Sequence, residues 1–194
     1  TVPPPVQLWR LPTGTGQPRQ LTSDSIVHSW GNIFPDGQRI LFVGNEPEHG
    51  RRLYVQELSG GAPRPISPEG VDFSWHAISP DGKQVSAYGP DQMITLYPVA
   101  PGPAVRTPLS PSEEPIGWTA DGQSLYVFRR GEIPARIYRA NVSTGKKTLW
   151  REITPAETTG LESILRIQIT PDERAWAYSS VLRLSTLYVA TGLK

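Results

Sequence analysis

The sequence contains no cysteine among its 194 residues. This absence excludes disulfide bonds, thiolate metal sites and a cysteine nucleophile. There is no apolar run of 18 residues, so the sequence predicts no membrane-spanning helix, and we recognise no signal peptide. Neither sign of charge is in excess, because 19 Lys and Arg residues accompany 18 Asp and Glu residues and the net charge is +1. The composition therefore gives no indication of a nucleic-acid partner.

Motifs for catalysis and for cofactor binding are absent as well. The sequence has no Gly-x-Ser-x-Gly, Walker A, His-Glu-x-x-His or EF-hand pattern, and none of the protein-kinase motifs. No two of the three histidines, His28, His49 and His76, are three or four residues apart. We expect them to be exposed loop or rim residues and not metal ligands. The sequence therefore predicts no catalytic residue, no metal and no cofactor.

A turn signature, Pro-Asp-Gly or a close variant, recurs four times along the chain. Its aspartates, here called the repeat aspartates, are Asp36, Asp81, Asp121 and Asp172. Proline fixes its own φ, aspartate caps the following NH groups and glycine accepts a positive φ. Apolar residues alternate on both sides of each turn, which predicts a β-hairpin in every repeat. We interpret the repeat aspartates as turn caps, and this structural role explains them without catalysis.

A second marker follows the same period of 40 to 51 residues. It is an aromatic residue in a short strand downstream of each turn, found at Trp9, Tyr54, Tyr97, Tyr138 and Tyr188. The two markers together predict four short strands per repeat in meander order, named a to d, with the turn between a and b and the aromatic in c. Four strands in such a unit are typical of a β-propeller blade.

The repeat resembles a known family. Ile-Ser-Pro-Asp-Gly-Lys at residues 78–83, with Leu-Tyr in strand c and Ile-Ser or Leu-Thr in strand d, is similar to the WD40-like (PD40) repeat of TolB-type bacterial propellers. The C-terminal stretch from Ile153 to Lys194 resembles the end of the propeller attached to some membrane-anchored bacterial Ser/Thr kinases. Glu173 departs from this pattern, because the usual residue after Asp172 is glycine.

The fold predicted from these observations is an all-β partial propeller of about four four-stranded antiparallel blades. We expect residues 1–194 to form one domain that is part of a larger propeller, with a closed four-blade ring as the alternative. The predicted boundaries are 1–22 for strands c and d of a preceding blade, 23–67, 68–110 and 111–153 for full blades, and 154–194 for strands a, b and c of the last blade. Open blade edges predict association, and we expect a homodimer in which two partial rings complete each other.

Two groups of residues are candidates for partner binding. Trp30 and Trp75 each lie six residues before a repeat aspartate, at the start of strand a, and the alternative to binding is packing between blades. Four arginines fall in the connections between strands b and c, where they would form a patch for an anion or a partner: Arg51, Arg52, Arg129 and Arg130. The alternative for these arginines is that they are solvated loop charges.

Three functions stay open at this level. The first is a non-enzymatic module that binds a protein partner or a small ligand on its loop face. The second is a propeller that gates the active site of a prolyl-oligopeptidase-like hydrolase, and the third is a purely structural scaffold. We expect the first. The family resemblance implies a bacterial signalling protein such as a Ser/Thr kinase, with this module on the periplasmic or extracellular side of the membrane.

Overall fold

The structure, a computed structural model, describes residues 5–185, without the side chains of residues 73–76. Within this part of the chain every regular element is a β-strand, and no helix is present that is long and apolar enough to cross a membrane. The strands are β1 (Trp9–Arg10), β2 (Arg19–Gln20), β3 (Val27–Ile33), β4 (Arg39–Asn45), β5 (Arg52–Glu57), β6 (Arg64–Pro65), β7 (Asp72–Ile78), β8 (Gln84–Tyr88), β9 (Ile94–Pro98), β10 (Val105–Arg106), β11 (Glu114–Trp118), β12 (Ser124–Phe128), β13 (Ala135–Asn141), β14 (Lys147–Ile153), β15 (Leu161–Ile169) and β16 (Trp176–Leu182).

These strands form antiparallel sheets in which neighbours in sequence are neighbours in space. Three sheets have four strands each, β3 to β6, β7 to β10 and β11 to β14, all in meander order. Two-stranded sheets, β1–β2 and β15–β16, lie at either end of the described chain. A series of four-stranded antiparallel meanders is the architecture of propeller blades. The all-β fold predicted from the repeat is therefore confirmed.

In the four sheets that contain a repeat aspartate, the turn between the first two strands has the geometry that its sequence predicts. In the second full blade, the Gly82 NH donates to the Ser79 carbonyl at 2.9 Å, and the Asp81 carboxylate accepts the Lys83 NH at 3.0 Å. Gly82 has a φ of 67°, a left-handed conformation that costs glycine little. The same pattern holds Asp36, Asp121 and Asp172 in their own turns.

Successive sheets pack face to face through apolar clusters. Tyr97 of β9 and Val99, which directly follows this strand, pack in one cluster with Leu41 and Val43 of the preceding sheet. Leu96, adjacent to Tyr97, instead joins a cluster with residues of the sheet after it. Because side chains alternate along a strand, each blade buries one face against its predecessor and the other against its successor. The core of the molecule is thus a series of layers between blades.

The strand predicted around Tyr188 lies outside the described residues. The blade boundaries given above, including strand c of the last blade, therefore stay predictions. The same holds for closure of the ring.

Candidate binding site

A cavity of about 380 Å³ lies where the turns of four repeats meet, and we call it the axial cavity. Its lining residues are Pro35, Ile78, Pro80, Ile116, Gly117, Trp118, Ala120, Tyr126, Ile169, Thr170 and Pro171. Four of these, Pro35, Pro80, Ala120 and Pro171, each directly precede a repeat aspartate. Equivalent positions of successive blades come together at the propeller axis, so the cavity lies on this axis at the end where strand a turns into strand b.

The lining is mostly apolar. Trp118 occupies the position that isoleucine holds in the other repeats, and its indole NH donates to the Ala77 carbonyl of the neighbouring blade at 3.0 Å. This hydrogen bond satisfies the polar edge of the ring, which leaves the ring as an apolar wall. Tyr126 is the one residue that titrates among the described residues of the lining. Burial, followed by a hydrogen bond to Glu173, raises the pKa of Tyr126 to about 12, so the phenol is neutral at physiological pH.

The repeat aspartates do not bring charge into the axial cavity. The Asp121 carboxylate accepts hydrogen bonds from the Thr119 hydroxyl at 2.6 Å and the Gln123 NH at 3.0 Å. These bonds hold the pKa of Asp121 below its usual value, and the corresponding bonds do the same at Asp81 and Asp172. The carboxylates are therefore ionised and engaged in their own turns, as the sequence predicts, and none of them lines the cavity.

Glu173 connects the wall of the cavity to the next sheet. One of its carboxylate oxygens accepts a hydrogen bond from the Tyr126 phenol. The other accepts hydrogen bonds from the Arg139 guanidinium and from the Trp150 indole, the latter at 3.1 Å. Hydrogen bonding by Tyr126 is the largest cause that lowers the pKa of Glu173, and Arg139 adds to it. The charged carboxylate thus joins three strands of one blade to the turn of the following sheet.

The sequence did not reveal this site, although two signals for it were present. One was proline directly before the repeat aspartate in three of the four turns, and the other was Trp118 at an isoleucine position. Of the two predicted tryptophans, the structure describes only the side chain of Trp30. Trp30 is half-buried in the middle of β3 and is not part of the lining of the axial cavity, and the side chain of Trp75 lies outside the described part of the chain. Their role in partner binding stays a prediction.

The four predicted arginines each have a carboxylate nearby. The ion pairs are Arg51 with Asp72 at 3.8 Å, Arg52 with Glu69 at 2.8 Å, Arg129 with Glu132 at 4.0 Å, and Arg130 with Glu114 at 2.7 Å. These local pairs neutralise the positive charge on two separate blades. Each arginine therefore has a local carboxylate partner, and the role of the four arginines as a patch for an anion or a partner stays a prediction.

The expectation that all three histidines are exposed is wrong for His28. Its side chain is buried, with Nδ1 2.9 Å from the Val6 carbonyl oxygen and the ring 4.5 Å from the Phe42 ring. The N-terminal segment at Val6 covers His28. The alternation of residues within one strand does not show such a contact. His49 is exposed as expected and lies 2.9 Å from Glu69, whereas the side chain of His76 is outside the described residues. Among the described residues no group of three potential ligands could hold a metal.

Comparison with known proteins identifies the fold. No protein-family model and no curated protein matches the sequence. A putative TolB from Agrobacterium tumefaciens superposes with a TM-score of 0.64 and 20% identity, over 90% of this chain and 63% of that one. TolB from Acinetobacter baumannii superposes with a TM-score of 0.58 and 16% identity, over 90% of this chain and 48% of that one. An oligogalacturonate lyase from Vibrio parahaemolyticus superposes with a TM-score of 0.57 and 12% identity, over 90% of this chain and 65% of that one.

The chain therefore has a TolB-like β-propeller fold, which confirms the predicted resemblance at the level of the fold. It spans less than two thirds of the length of these three neighbours. The neighbours include both TolB and a lyase, so the fold by itself assigns no activity. The resemblance to kinase-attached propellers stays a prediction.

Proposed function

We propose that this chain is a non-enzymatic binding module that takes an uncharged, apolar group in its axial cavity. The group is either a small ligand or apolar side chains presented by a protein partner. The observation that carries the proposal is the convergence of four repeat turns and Trp118 around a mostly apolar cavity of about 380 Å³. Binding sites for small molecules have volumes of roughly 300 to 1,000 Å³ and apolar linings of this kind.

The chemistry of the lining supports an uncharged occupant. A charged group in the cavity would lose its hydration without meeting an opposite charge in the lining, because none of the described lining residues is charged. Trp118 and Tyr126 offer large rigid surfaces whose polar atoms already have partners. Aromatic residues of this kind supply much of the binding energy at interfaces.

The proposal also covers the kind of protein that contains the module and the side of the membrane on which the module lies. The resemblance of the C-terminal stretch to kinase-attached propellers supports a sensing role in a bacterial signalling protein, on the periplasmic or extracellular side. The TolB-like fold is compatible with this setting. A rigid ring that carries its specificity in turns suits a sensor, because the turns can differ between proteins while the blades stay the same.

The test uses a variant that fills the cavity without straining the fold. Gly117 lines the cavity, its backbone is outside the left-handed region, and a Cβ added there meets no atom within 4 Å. Gly117→Leu therefore occupies cavity space at little cost in stability. Gly14→Leu is the matched control, because Gly14 also has open space around an added Cβ and lies in the distant turn between β1 and β2.

The probes are N-acetyl-leucinamide and, as a charged comparison, N-acetyl-aspartate amide. The readout is the indole NH resonance of Trp118 in a titration followed by NMR, assigned with Trp118→Phe. We expect a saturable shift with the leucine probe in the parent chain and in Gly14→Leu, and at least about tenfold weaker binding in Gly117→Leu. An absent shift in the parent chain, equal shifts in both variants, or tighter binding of the charged probe would each refute the proposal.

A further inference from the structure

A second cavity, of about 320 Å³, lies beside the third full blade, and we call it the charged cavity. Its described lining residues are Glu113, Phe128, Arg129, Glu132, Arg136, Tyr138 and Lys147. None of them lines the axial cavity. All seven belong to the complete sheet of β11 to β14 or to the loops next to its strands. The lining of the charged cavity therefore comes from a single complete blade.

One of the lining carboxylates is almost fully buried. Glu113 is 4% exposed, and its carboxylate accepts hydrogen bonds from the Lys147 ammonium and, at 3.3 Å, from the Ser110 NH. Taking a carboxylate out of water is unfavourable, so a buried ion pair is weak evidence for a purely stabilising role. The side chain of Lys147 stays 32% exposed. Because an ammonium has three donors, Lys147 has donors left beyond the one that Glu113 accepts.

Two arginines of the lining also have unused donors. The ion pair of Arg129 with Glu132, at 4.0 Å, is longer than a hydrogen bond, and the Arg129 guanidinium makes no hydrogen bond within the described part of the chain. Arg136 donates through Nε to Glu152 at 3.1 Å, and Glu152 is not among the described lining residues. A guanidinium has five NH donors in a planar fork that matches a carboxylate. The cavity thus offers guanidinium donors that the protein itself leaves free.

The balance of charge in the lining favours an anion. The lining includes three cationic side chains and two carboxylates: Arg129, Arg136, Lys147, Glu113 and Glu132. One net positive charge therefore remains among the described lining residues. The aromatic rings of Phe128 and Tyr138 add apolar surface beside these charges. A ligand with one negative charge and a flat apolar body meets both features, whereas a second negative charge would be repelled by the lining carboxylates.

We propose that the charged cavity binds a small organic monocarboxylate. Its carboxylate accepts hydrogen bonds from Arg129 and Lys147, and its apolar body packs against Tyr138. Hydrogen bonds between a guanidinium and a carboxylate are stronger than those between neutral groups. Glu132 competes with the ligand for Arg129, so the ligand displaces a weak ion pair. This site is separate from the axial cavity, and it takes an anion where the axial cavity takes an uncharged group.

The test uses three probes of nearly the same shape and different charge, which are benzoate, benzamide and benzylammonium. The readout is the backbone NH resonance of Gly131, which lies between Arg129 and Glu132 in the connection from β12 to β13. The NMR titrations are made at low ionic strength, because salt screens exposed charges. We expect a saturable shift with benzoate, at least about tenfold weaker binding of benzamide, and no saturable shift with benzylammonium.

Arg129→Gln is the disrupting variant, and Arg106→Gln is the matched control. The Arg106 side chain is 61% exposed and pairs with Asp91 at 3.3 Å on another blade. We expect benzoate to bind at least about tenfold more weakly to Arg129→Gln and with unchanged affinity to Arg106→Gln. Glu132→Gln removes the competing carboxylate, so we expect it to bind benzoate about threefold more tightly. A damaged fold would not produce such a gain.

Four results would overturn the proposal. They are a parent chain without a saturable benzoate shift, equal affinity for benzoate and benzamide, parental affinity in Arg129→Gln, and no gain in Glu132→Gln. Gly117→Leu fills the axial cavity and should leave benzoate binding unchanged. Loss of benzoate binding in Gly117→Leu would mean that the probe occupies the axial cavity, and this result would also overturn the assignment of the charged cavity.

Discussion

Tyr126 and Glu173 are joined by a hydrogen bond that crosses from one propeller sheet to the next, with the phenol of β12 donating to the carboxylate in the turn before β16. Glu173 occupies the turn position that glycine holds in the other repeats, and it keeps the left-handed backbone with a φ of 57°. Its side chain also accepts hydrogen bonds from Arg139 and Trp150. The departure from the repeat pattern thus has a structural explanation.

Replacing Glu173 with glycine is expected to destabilise the fold, although it restores the residue typical of this turn. Glycine relieves roughly 1 kcal/mol of left-handed backbone strain. The loss of hydrogen bonds to a charged group costs more, at about 1.5 to 3 kcal/mol for each such bond before solvent exposure reduces it. We expect a net loss of about 1 to 2 kcal/mol in the free energy of unfolding, measured by urea denaturation.

The control is Glu132→Gln, which removes a partly exposed carboxylate 4.0 Å from Arg129. Ion pairs of this kind contribute at most about 1 kcal/mol, so we expect a change below about 0.5 kcal/mol. If the Glu173→Gly chain were as stable as the parent, the hydrogen bonds of Glu173 would stabilise the fold by no more than its left-handed backbone destabilises it.

Stability is expected to fall in acid, and Glu173 supplies part of this dependence. Hydrogen bonds from Tyr126, Arg139 and Trp150 hold its pKa below the ordinary 4.5 in the folded state. The unfolded chain therefore binds the proton more readily. The stabilising contribution is fully present above about pH 4.5 and is lost as the pH falls through the lower pKa of the folded state.

The measurement is the urea midpoint at several values between about pH 6 and pH 3. We expect a decline in the parent chain and a shallower one in Glu173→Gln, whose amide does not titrate. Some decline remains in the variant, because the pKa values of Asp36, Asp81, Asp121 and Asp172 are also lowered by their turns. Identical pH profiles for the two chains would contradict the assignment to Glu173.

A single turn cap has a measurable effect. Asp121→Ala removes the acceptor for the Thr119 hydroxyl and the Gln123 NH, and both donors then depend on water. We expect a loss of about 1 kcal/mol in the free energy of unfolding, since the turn is exposed. Asp121→Asn keeps an acceptor oxygen and should lose less than half as much. Equal losses in the two variants would indicate that charge, and not hydrogen bonding, stabilises the turn.

Sequence reasoning predicted the fold because the relevant physics is local. Proline, aspartate and glycine determine a turn within four residues, and alternation determines which side of a strand is buried. The axial cavity was not predictable in this way. It forms only when Pro35, Pro80, Ala120 and Pro171, each some 40 to 51 residues from the next, reach the same axis.

The candidates for partner binding were also predicted without the contacts between non-adjacent segments, which one sequence does not show. Charge pairing affects whether an arginine is available to a partner, and the carboxylates that pair with Arg52 and Arg130 are 17 and 16 residues away in the sequence. His28 was misjudged because the segment that covers it, at Val6, precedes it by 22 residues. Packing between non-adjacent segments leaves no periodic signal in a single sequence.

The most direct test of the account is a crystal structure of the chain grown with N-acetyl-leucinamide. We predict density for the leucine side chain in the axial cavity, against Trp118 and the ring of Pro80, in the parent chain and not in Gly117→Leu crystals. Density for the probe only at other positions, or an empty cavity at a concentration that saturates the NMR titration, would contradict the assignment of the axial cavity as the binding site.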